Sequence, residues 1–303
     1  MKAQKYIFSS RGQIAGKHSH VLNRLSLPGR LLNSAFLIII FFTMALPMWN
    51  VVVMSTSTAL DASAGGIRLW WNQFSLDGYF YVFETAHLLR PFLNSTYVSI
   101  TGTVIQVVLS CLAAYVLIQR QLPFKNAMVS FIMLSMMIPG NLILVSVYQL
   151  NKALGLHNSL TGLIINGLIS GFGILLMRGY FVSVPYTMEE SARIDGASDM
   201  KIFIHIYMPV SLPGVATIFF ISFISRWNAL MLPATLISDQ KKYTLPLMLK
   251  TMILSNSSVT GVAQTPDNAL MAAIVISAIP LLLIYVFAQQ FLIAGMTFGA
   301  VKE

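Results

Sequence analysis

The sequence predicts an all-α, polytopic membrane protein with six transmembrane helices, and three observations carry that prediction. Of its 303 residues, 56% are apolar and only 10% are charged, with a mean hydropathy of +0.74; a soluble domain carries roughly 25% charge. The charges are also segregated. The stretches 31–60, 91–119, 126–151, 153–177, 202–225 and 268–301 contain no Asp, Glu, Lys or Arg, and each exceeds the roughly 20 residues that a helix needs to cross the hydrocarbon. Finally, these runs are continuously apolar and do not alternate in short segments, which excludes a β-barrel. The same composition excludes a soluble enzyme, a nucleic-acid binder and a disordered chain.

Taken in order, residues 1–30 form a polar, basic tail with Lys2, Lys5, Arg11, Lys17, Arg24 and Arg30. The first span, near 31–54, is long and lacks the early placement of a cleavable signal core, so an uncleaved anchor is expected. The others are expected near 92–118, 127–150, 159–181, 209–234 and 269–294. Between the first two lies a long loop, 55–91, with the cluster Trp70, Trp71, Phe74, Tyr79, Phe80, Tyr81 and Phe83. An interfacial aromatic belt is the simpler account; a docking surface is the alternative. A second long loop, 235–268, contains the polar stretch Ser255 to Pro266. Pro47, Pro139, Pro213 and Pro280 fall within spans, where proline kinks a helix, and Pro139-Gly140-Asn141 predicts a break in the third.

An even number of spans puts both termini on one side. With that side cytoplasmic, Lys and Arg number 12 inside and 6 outside, so the positive-inside bias favours N-in and C-in. Arg226 lies within a span. None of the ten acidic residues does, which removes the intramembrane carboxylates on which proton-driven carriers commonly rely. No Gly-x-x-x-x-Gly-Lys phosphate loop is present. The five histidines form no metal-ligand pattern, and the single Cys111 forms no intrachain disulfide. Energy for any transport must come from a partner.

The segment 182–208 is the place for one. Pro185 suits a first helical turn. Glu189 and Arg193 are spaced i,i+4, and Glu190 and Arg193 i,i+3, giving a charged helical face. Gly196 permits a sharp turn. Met200, Phe203, Ile206 and Tyr207 then define one apolar face, before Pro209 opens the next span. This is a helix–turn–helix beside the membrane; a plain interfacial connector is the alternative.

Glu190-Ser-Ala, three residues, Gly196, nine residues, Ile206-x-Met208-Pro209 resembles the Glu-Ala-Ala loop motif of ABC-importer permeases, with both spacings kept and Ser191 and Met208 as mild departures. Asp195-Gly196-Ala197 resembles the sugar-importer version. Further stretches are similar to maltose-type sugar permeases: Asn94-Ser95, Ala113-Ala114-Tyr115, Met137-Ile138-Pro139-Gly140, Leu154-Gly155-Leu156, Trp227-Asn228, Tyr243-Thr244-Leu245-Pro246 and Gly299-Ala300-Val301-Lys302. The resemblance covers about residue 31 to the C-terminus.

It implies an ABC type I importer permease fold, with residues 31–303 as the permease domain of a bacterial inner-membrane transporter and 182–208 as its coupling loop. The implied partners are a homologous second permease, a dimer of ATP-binding subunits, an extracytoplasmic solute-binding protein and membrane lipid, with no nucleic acid. ATP and Mg would be bound by the ATPase, so this chain is expected to be no enzyme and to hold no cofactor. Glu190, Ala192, Asp195, Gly196 and Ala197 become the expected ATPase-coupling positions, with Lys302 in a tail reaching toward the ATPase. Gly65-Gly66-Ile67-x-Leu69-Trp70 and the ending Gly295-Met296-Thr297-x-Gly299 look most like a branch handling fragments of acidic polysaccharides such as pectin or alginate. Arg226, Trp227 and Asn228 are the candidate substrate-pathway residues. Arg226 has two accounts: snorkelling to the outer interface, which is the simpler, or attraction of an anionic sugar. The alternative function classes are a secondary sugar carrier and a membrane scaffold or sensor that transports nothing.

Overall fold

The computed structural model describes residues 27–257 and 265–300; the expectations for residues 1–26, for the centre of the second long loop and for Lys302 lie outside them. Among the described residues the chain is helical throughout, and its one β-type pairing is an isolated antiparallel bridge between Ser57 and Phe74. Three helices are long and apolar enough to span a membrane unbroken: α1 (Leu27–Ser55), α4 (Leu89–Ile118) and α15 (Asp267–Ala300). They match the first, second and sixth expected spans.

The other three apolar runs are interrupted. The third is α5 (Lys125–Met136) and α6 (Leu144–Ala153); α5 meets the segment Gly140–Ala153 at 81° across Met137 to Pro139, where Pro139 opens a 3₁₀ turn over Gly140–Ile143 that leads into α6. The fourth, expected as one span over 159–181, is instead two short helices, α7 (Leu160–Ile165) and α8 (Gly171–Val182). Asn166-Gly167 separates them, and Gly167 has φ +85°, a conformation that a continuing helix does not allow. The fifth is α12 (Leu212–Trp227), set at 78° to the preceding helical segment Asp199–Val210, with Ser211 and Pro213 at the corner; the short α13 (Met231–Leu236) follows it. Length and composition thus give three straight spans and two bent ones.

Burial explains which helix does what. α1 is almost wholly exposed apart from Val53 and Ser55, as befits a helix facing lipid on most sides. It packs along α15. α4 is the central strut, half buried along its span and packed against both α8 and α12. The aromatic loop folds over the end of α1: the Trp49 indole donates to Leu69 O (2.9 Å), the Trp71 indole to Thr56 Oγ1 (2.6 Å), and Trp49, Trp70, Trp71 and Phe74 meet edge to face. Trp70 and Phe74 remain exposed. Beside this cluster, Asp61 sits below the usual carboxylate range because Asn72 and Arg68 donate hydrogen bonds to it.

α14 (Leu245–Ser257) is anchored on α4 through the residues of the Asn94-Ser95 stretch. Asn94 Nδ2 donates to Lys241 O and Tyr243 O, and Ser95 Oγ accepts from Leu245 N at 2.7 Å.

Candidate functional site: a clamped loop and a polar cavity

Two features carry chemistry, at different levels of the bundle. The first is the 182–208 loop. α9 (Tyr186–Ile194) starts after Pro185 and ends at Asp195, with Gly196 at φ +78° reversing the chain. α10 (Asp199–Ile202) then runs on through a π turn, Phe203–Tyr207, into α11 (Met208–Val210).

A network of charges holds the two arms together. Arg193 donates from Nε and Nη2 to Glu189 Oε1 at 3.0 and 2.9 Å, and Nη2 also reaches Asp199 Oδ1 at 2.7 Å. The Glu189 bond holds the guanidinium pKa above its ordinary value. The hydroxyl of Tyr207 donates to the second oxygen of the buried Glu189. Tyr115, at the end of α4, donates to Asp199 O at 3.2 Å and packs against Phe203 and Tyr207, which Phe181 joins. The loop is therefore a preset body seated on the ends of α4 and α8.

The expected coupling residues fall into place around this clamp. Glu190 is exposed and bonds to no side chain among the described residues, so its carboxylate points away from the loop's own network. The expected Glu190–Arg193 pair does not form, because Glu189 and Asp199 take the guanidinium. Ala192 and Ala197 are half-buried against the Tyr115–Phe203 cluster, and Ala197 N bonds back to Ala192 O at 2.9 Å. Asp195 is exposed at the end of α9. The apolar face is Ile202, Phe203, Ile206 and Tyr207; Met200 is turned outward, since it stands at the turn with no neighbour to cover it.

Glu189 was not singled out by its sequence position beyond the i,i+4 spacing, yet it is the carboxylate on which the loop is built. Tyr207→Phe removes one of its donors. Losing a hydrogen bond to a charged, buried group costs about 1.5–3 kcal/mol. A lower unfolding midpoint in detergent is the expected result, and an unchanged midpoint would contradict the clamp.

The second feature is a cavity of about 430 Å³ inside the bundle. One wall is a stripe along α4, namely Ser95, Ser99, Thr103, Gln106 and Ser110, all buried. Their spacings of four, four, three and four residues keep them on one helical face, and Ser95, Ser99 and Gln106 line the cavity. Ser95 belongs to the Asn94-Ser95 stretch; for the other four, the spacing within a charge-free run is the sequence signal that marks them. The hydroxyls of Ser99 and Thr244, which also lines the space, have no hydrogen-bond partner among the described residues.

Among the described residues, Arg226 is the one charged residue lining this cavity. Its guanidinium is bonded to protein acceptors within the bundle. Nε donates to Gln106 Oε1 (3.2 Å), Nη1 to Ile164 O (3.4 Å) and Nη2 to Gly167 O (2.7 Å). The first carbonyl belongs to the last turn of α7 and the second to the break before α8, where helical partners are missing. Gly102 makes this possible, because a Cβ there would lie 2.6 Å from Arg226 Nη1. Gln106 passes the contact on to Ser222 at 2.9 Å. The neighbouring candidates part from Arg226. Trp227 is buried in a different cluster, its indole donating to Ser277 O at 3.0 Å and its ring stacked on Phe223. Asn228 caps the end of α12 through a backbone bond to Ile224 O. Neither lines the cavity.

A helical bundle of spanning and broken apolar helices, with an internal cavity that holds Arg226 and a clamped loop at one end, is the architecture of a multi-pass membrane protein. Residues 106–298 match the family described as the binding-protein-dependent transport system inner membrane component, and the chain belongs to that family of ABC importer permeases. It is 31% identical to a polygalacturonan/rhamnogalacturonan transport system permease protein of Bacillus subtilis (strain 168), over 88% of this chain and 96% of the relative. It is 27% identical to an arabinooligosaccharides transport system permease protein of Halalkalibacterium halodurans, over 87% and 93%. The fold is similar to that of a solved bacterial ABC transporter involved in the import of the acidic polysaccharide alginate, with a TM-score of 0.80, 25% identity, and 88% of this chain and 99% of that one covered.

Proposed function

We propose that this permease subunit passes an oligosaccharide, of the acidic kind released from pectin- or alginate-like polymers, across the bacterial inner membrane. The observation that carries the substrate class is the cavity's electrostatics. Hydroxyls, amides and Arg226 make up about half of its lining and apolar side chains such as Leu163, Ile169, Phe172 and Ile221 the rest, and among the described residues no acidic one lines it. Arg has five donors, and three Arg226 hydrogen bonds to protein acceptors are in place. The remaining N–H groups are available to a sugar carboxylate, with which charge-assisted bonds form. The relatives named for polygalacturonan and alginate support the same class.

In this reading a solute-binding protein delivers the sugar from outside, a second, homologous permease completes the pathway, and two ATP-binding subunits hold ATP and Mg beneath it. The chain itself is no enzyme and holds no cofactor. The 182–208 loop is the piece on which ATPase motion acts: Glu190 offers a free carboxylate, Gly196 shapes the turn, and Ala192, Asp195 and Ala197 complete its surface. Lys302 would extend the same contact. A secondary carrier would need an ion-coupling carboxylate inside a span, which the sequence does not supply, and a scaffold would need no such cavity.

The test is ATP hydrolysis by the reconstituted importer. The sugar-loaded binding protein should stimulate it, and an acidic oligosaccharide should do so better than its neutral counterpart. Absence of stimulation by any loaded binding protein would leave the scaffold reading.

Orientation is tested separately. With both termini and the loop inside, a cysteine at position 190 should resist a membrane-impermeant thiol reagent in intact cells, and one at the exposed Ser63 should react. The native Cys111 is fully buried and contributes little background. Labelling at 190 from outside would overturn the orientation.

A further inference from the structure

A second cavity, of about 870 Å³, opens where the α4–α5 turn meets the end of α8 and the root of the 182–208 loop. Its charged lining is Arg120, Lys125, Arg178, Arg193, Glu189 and Asp199. Arg193 already takes up both carboxylates. Three cations therefore face the space with no carboxylate paired to them among the described residues. Lys125 Nζ is satisfied by Ile118 O at 3.1 Å and Gln119 O at 3.4 Å. The Arg120 guanidinium lies 3.7 Å over the Tyr186 ring, which fixes its plane and leaves its N–H edges open. Arg178 Nε is buried without any hydrogen-bond partner among the described residues. A buried unpaired guanidinium nitrogen is costly, and the described residues supply no acceptor for it.

The placement of these cations narrows the ligand. Arg178 lies four residues before the end of α8, Arg120 two residues beyond α4, and Lys125 begins α5. All three stand where apolar helices emerge, the depth at which phospholipid headgroups lie. The cavity also has an apolar continuation. Val116 lines both it and a groove of about 600 Å³ between α4 and α5, whose walls include Leu117, Met128 and Phe131. A free phosphate would use the cations and leave that groove empty. A molecule with an anionic head and a hydrocarbon tail uses both.

We propose that this site holds one anionic phospholipid, its phosphate on Arg178 and Arg120 and an acyl chain lying in the groove between α4 and α5. The lipid would tie the α4–α5 turn to the root of the loop that Glu189 and Arg193 clamp.

The test is a lipid titration of the delipidated full chain in detergent, read by native mass spectrometry. Dioleoyl phosphatidylglycerol should bind at one molecule per chain, and dioleoyl phosphatidylcholine more weakly. The double variant R120Q/R178Q should weaken phosphatidylglycerol binding about thirtyfold, at about fivefold for each basic group facing an anionic headgroup. Ala127→Trp, which fills the groove and leaves the cations intact, should weaken it as well. The comparison of the two lipids on the unaltered chain needs no variant to fold. Equal affinity for the two lipids, or unchanged affinity in R120Q/R178Q, would overturn the proposal. So would displacement of the lipid by millimolar inorganic phosphate, which would assign the site to a soluble anion. Loss of the lipid when the chain assembles with its partner subunits would overturn it in favour of a protein carboxylate filling the cavity.

Discussion

Glu190→Ala and Gly196→Asp should abolish stimulation of ATP hydrolysis by the loaded binding protein while the permease stays in the membrane at normal amount. The two adjacent glutamates make the expectation specific. Glu189 is buried and spends both oxygens on Arg193 and Tyr207. Glu190 is exposed. A carboxylate left free at a docking surface can take a charge-assisted bond from an ATPase arginine, a bond worth about 1.5–3 kcal/mol, so its loss should weaken association roughly tenfold or more. Gly196 acts through the backbone. Its φ of +78° is disfavoured for a residue with a Cβ by about 1–2 kcal/mol, and nothing lies within 4 Å of a Cβ there, so the cost is conformational and not a clash. Aspartate also adds charge beside Asp195. Glu189→Gln is the contrasting variant. It should lower the unfolding midpoint, because it strips the clamp of its anion, whereas Glu190→Ala should leave the midpoint unmoved. Co-purification with the ATPase and stimulated hydrolysis are the readouts, and wild-type values in both Glu190→Ala and Gly196→Asp would refute the coupling role.

Much of this arrangement is legible in the sequence, for reasons that differ from element to element. α1, α4 and α15 follow from charge-free runs alone, because exclusion of charge from hydrocarbon needs no tertiary partner. The loop's helix–turn–helix follows from the i,i+4 spacing of Glu189 and Arg193 and from Gly196. What the sequence does not disclose is how a break is satisfied. Pro139 and Gly167 mark places where a helix can stop, but whether it does depends on acceptors and donors brought from elsewhere. The α7–α8 break is stabilised by Arg226, some sixty residues further along the chain. The Glu190–Arg193 pair is equally plausible by spacing, and it is absent because Glu189 holds the guanidinium from its own helix and the turn at Gly196 brings Asp199 within 2.7 Å of it. The α4 stripe from Ser95 to Ser110 is visible as a period once helices are assigned. That it faces a cavity and not lipid is a tertiary fact.

Arg226 is the residue whose sequence reading changes most, and its substitution should have two separable effects. Arg226→Ala leaves Ile164 O, Gly167 O and Gln106 Oε1 without their donor. Gly167 is exposed and its carbonyl can turn to solvent, but Ile164 and Gln106 are buried, and at about 1–3 kcal/mol for each buried group left unsatisfied a drop in the unfolding midpoint is expected. Arg226→Lys separates shape from charge. An ammonium keeps the positive charge but not the planar fork that bonds the last turn of α7 and the break after it, so Lys should lose stability much as Gln does. Transport should divide the two differently. If the cavity attracts a sugar carboxylate through the charge at 226, Arg226→Lys should retain uptake of an acidic oligosaccharide and Arg226→Gln should lose about tenfold, the equivalent of one charge-assisted hydrogen bond. Uptake of a neutral sugar of the same length serves as the reference for assembly and folding. Equal losses for acidic and neutral sugars in Arg226→Gln would confine the residue to bracing the broken helix and remove it from the pathway.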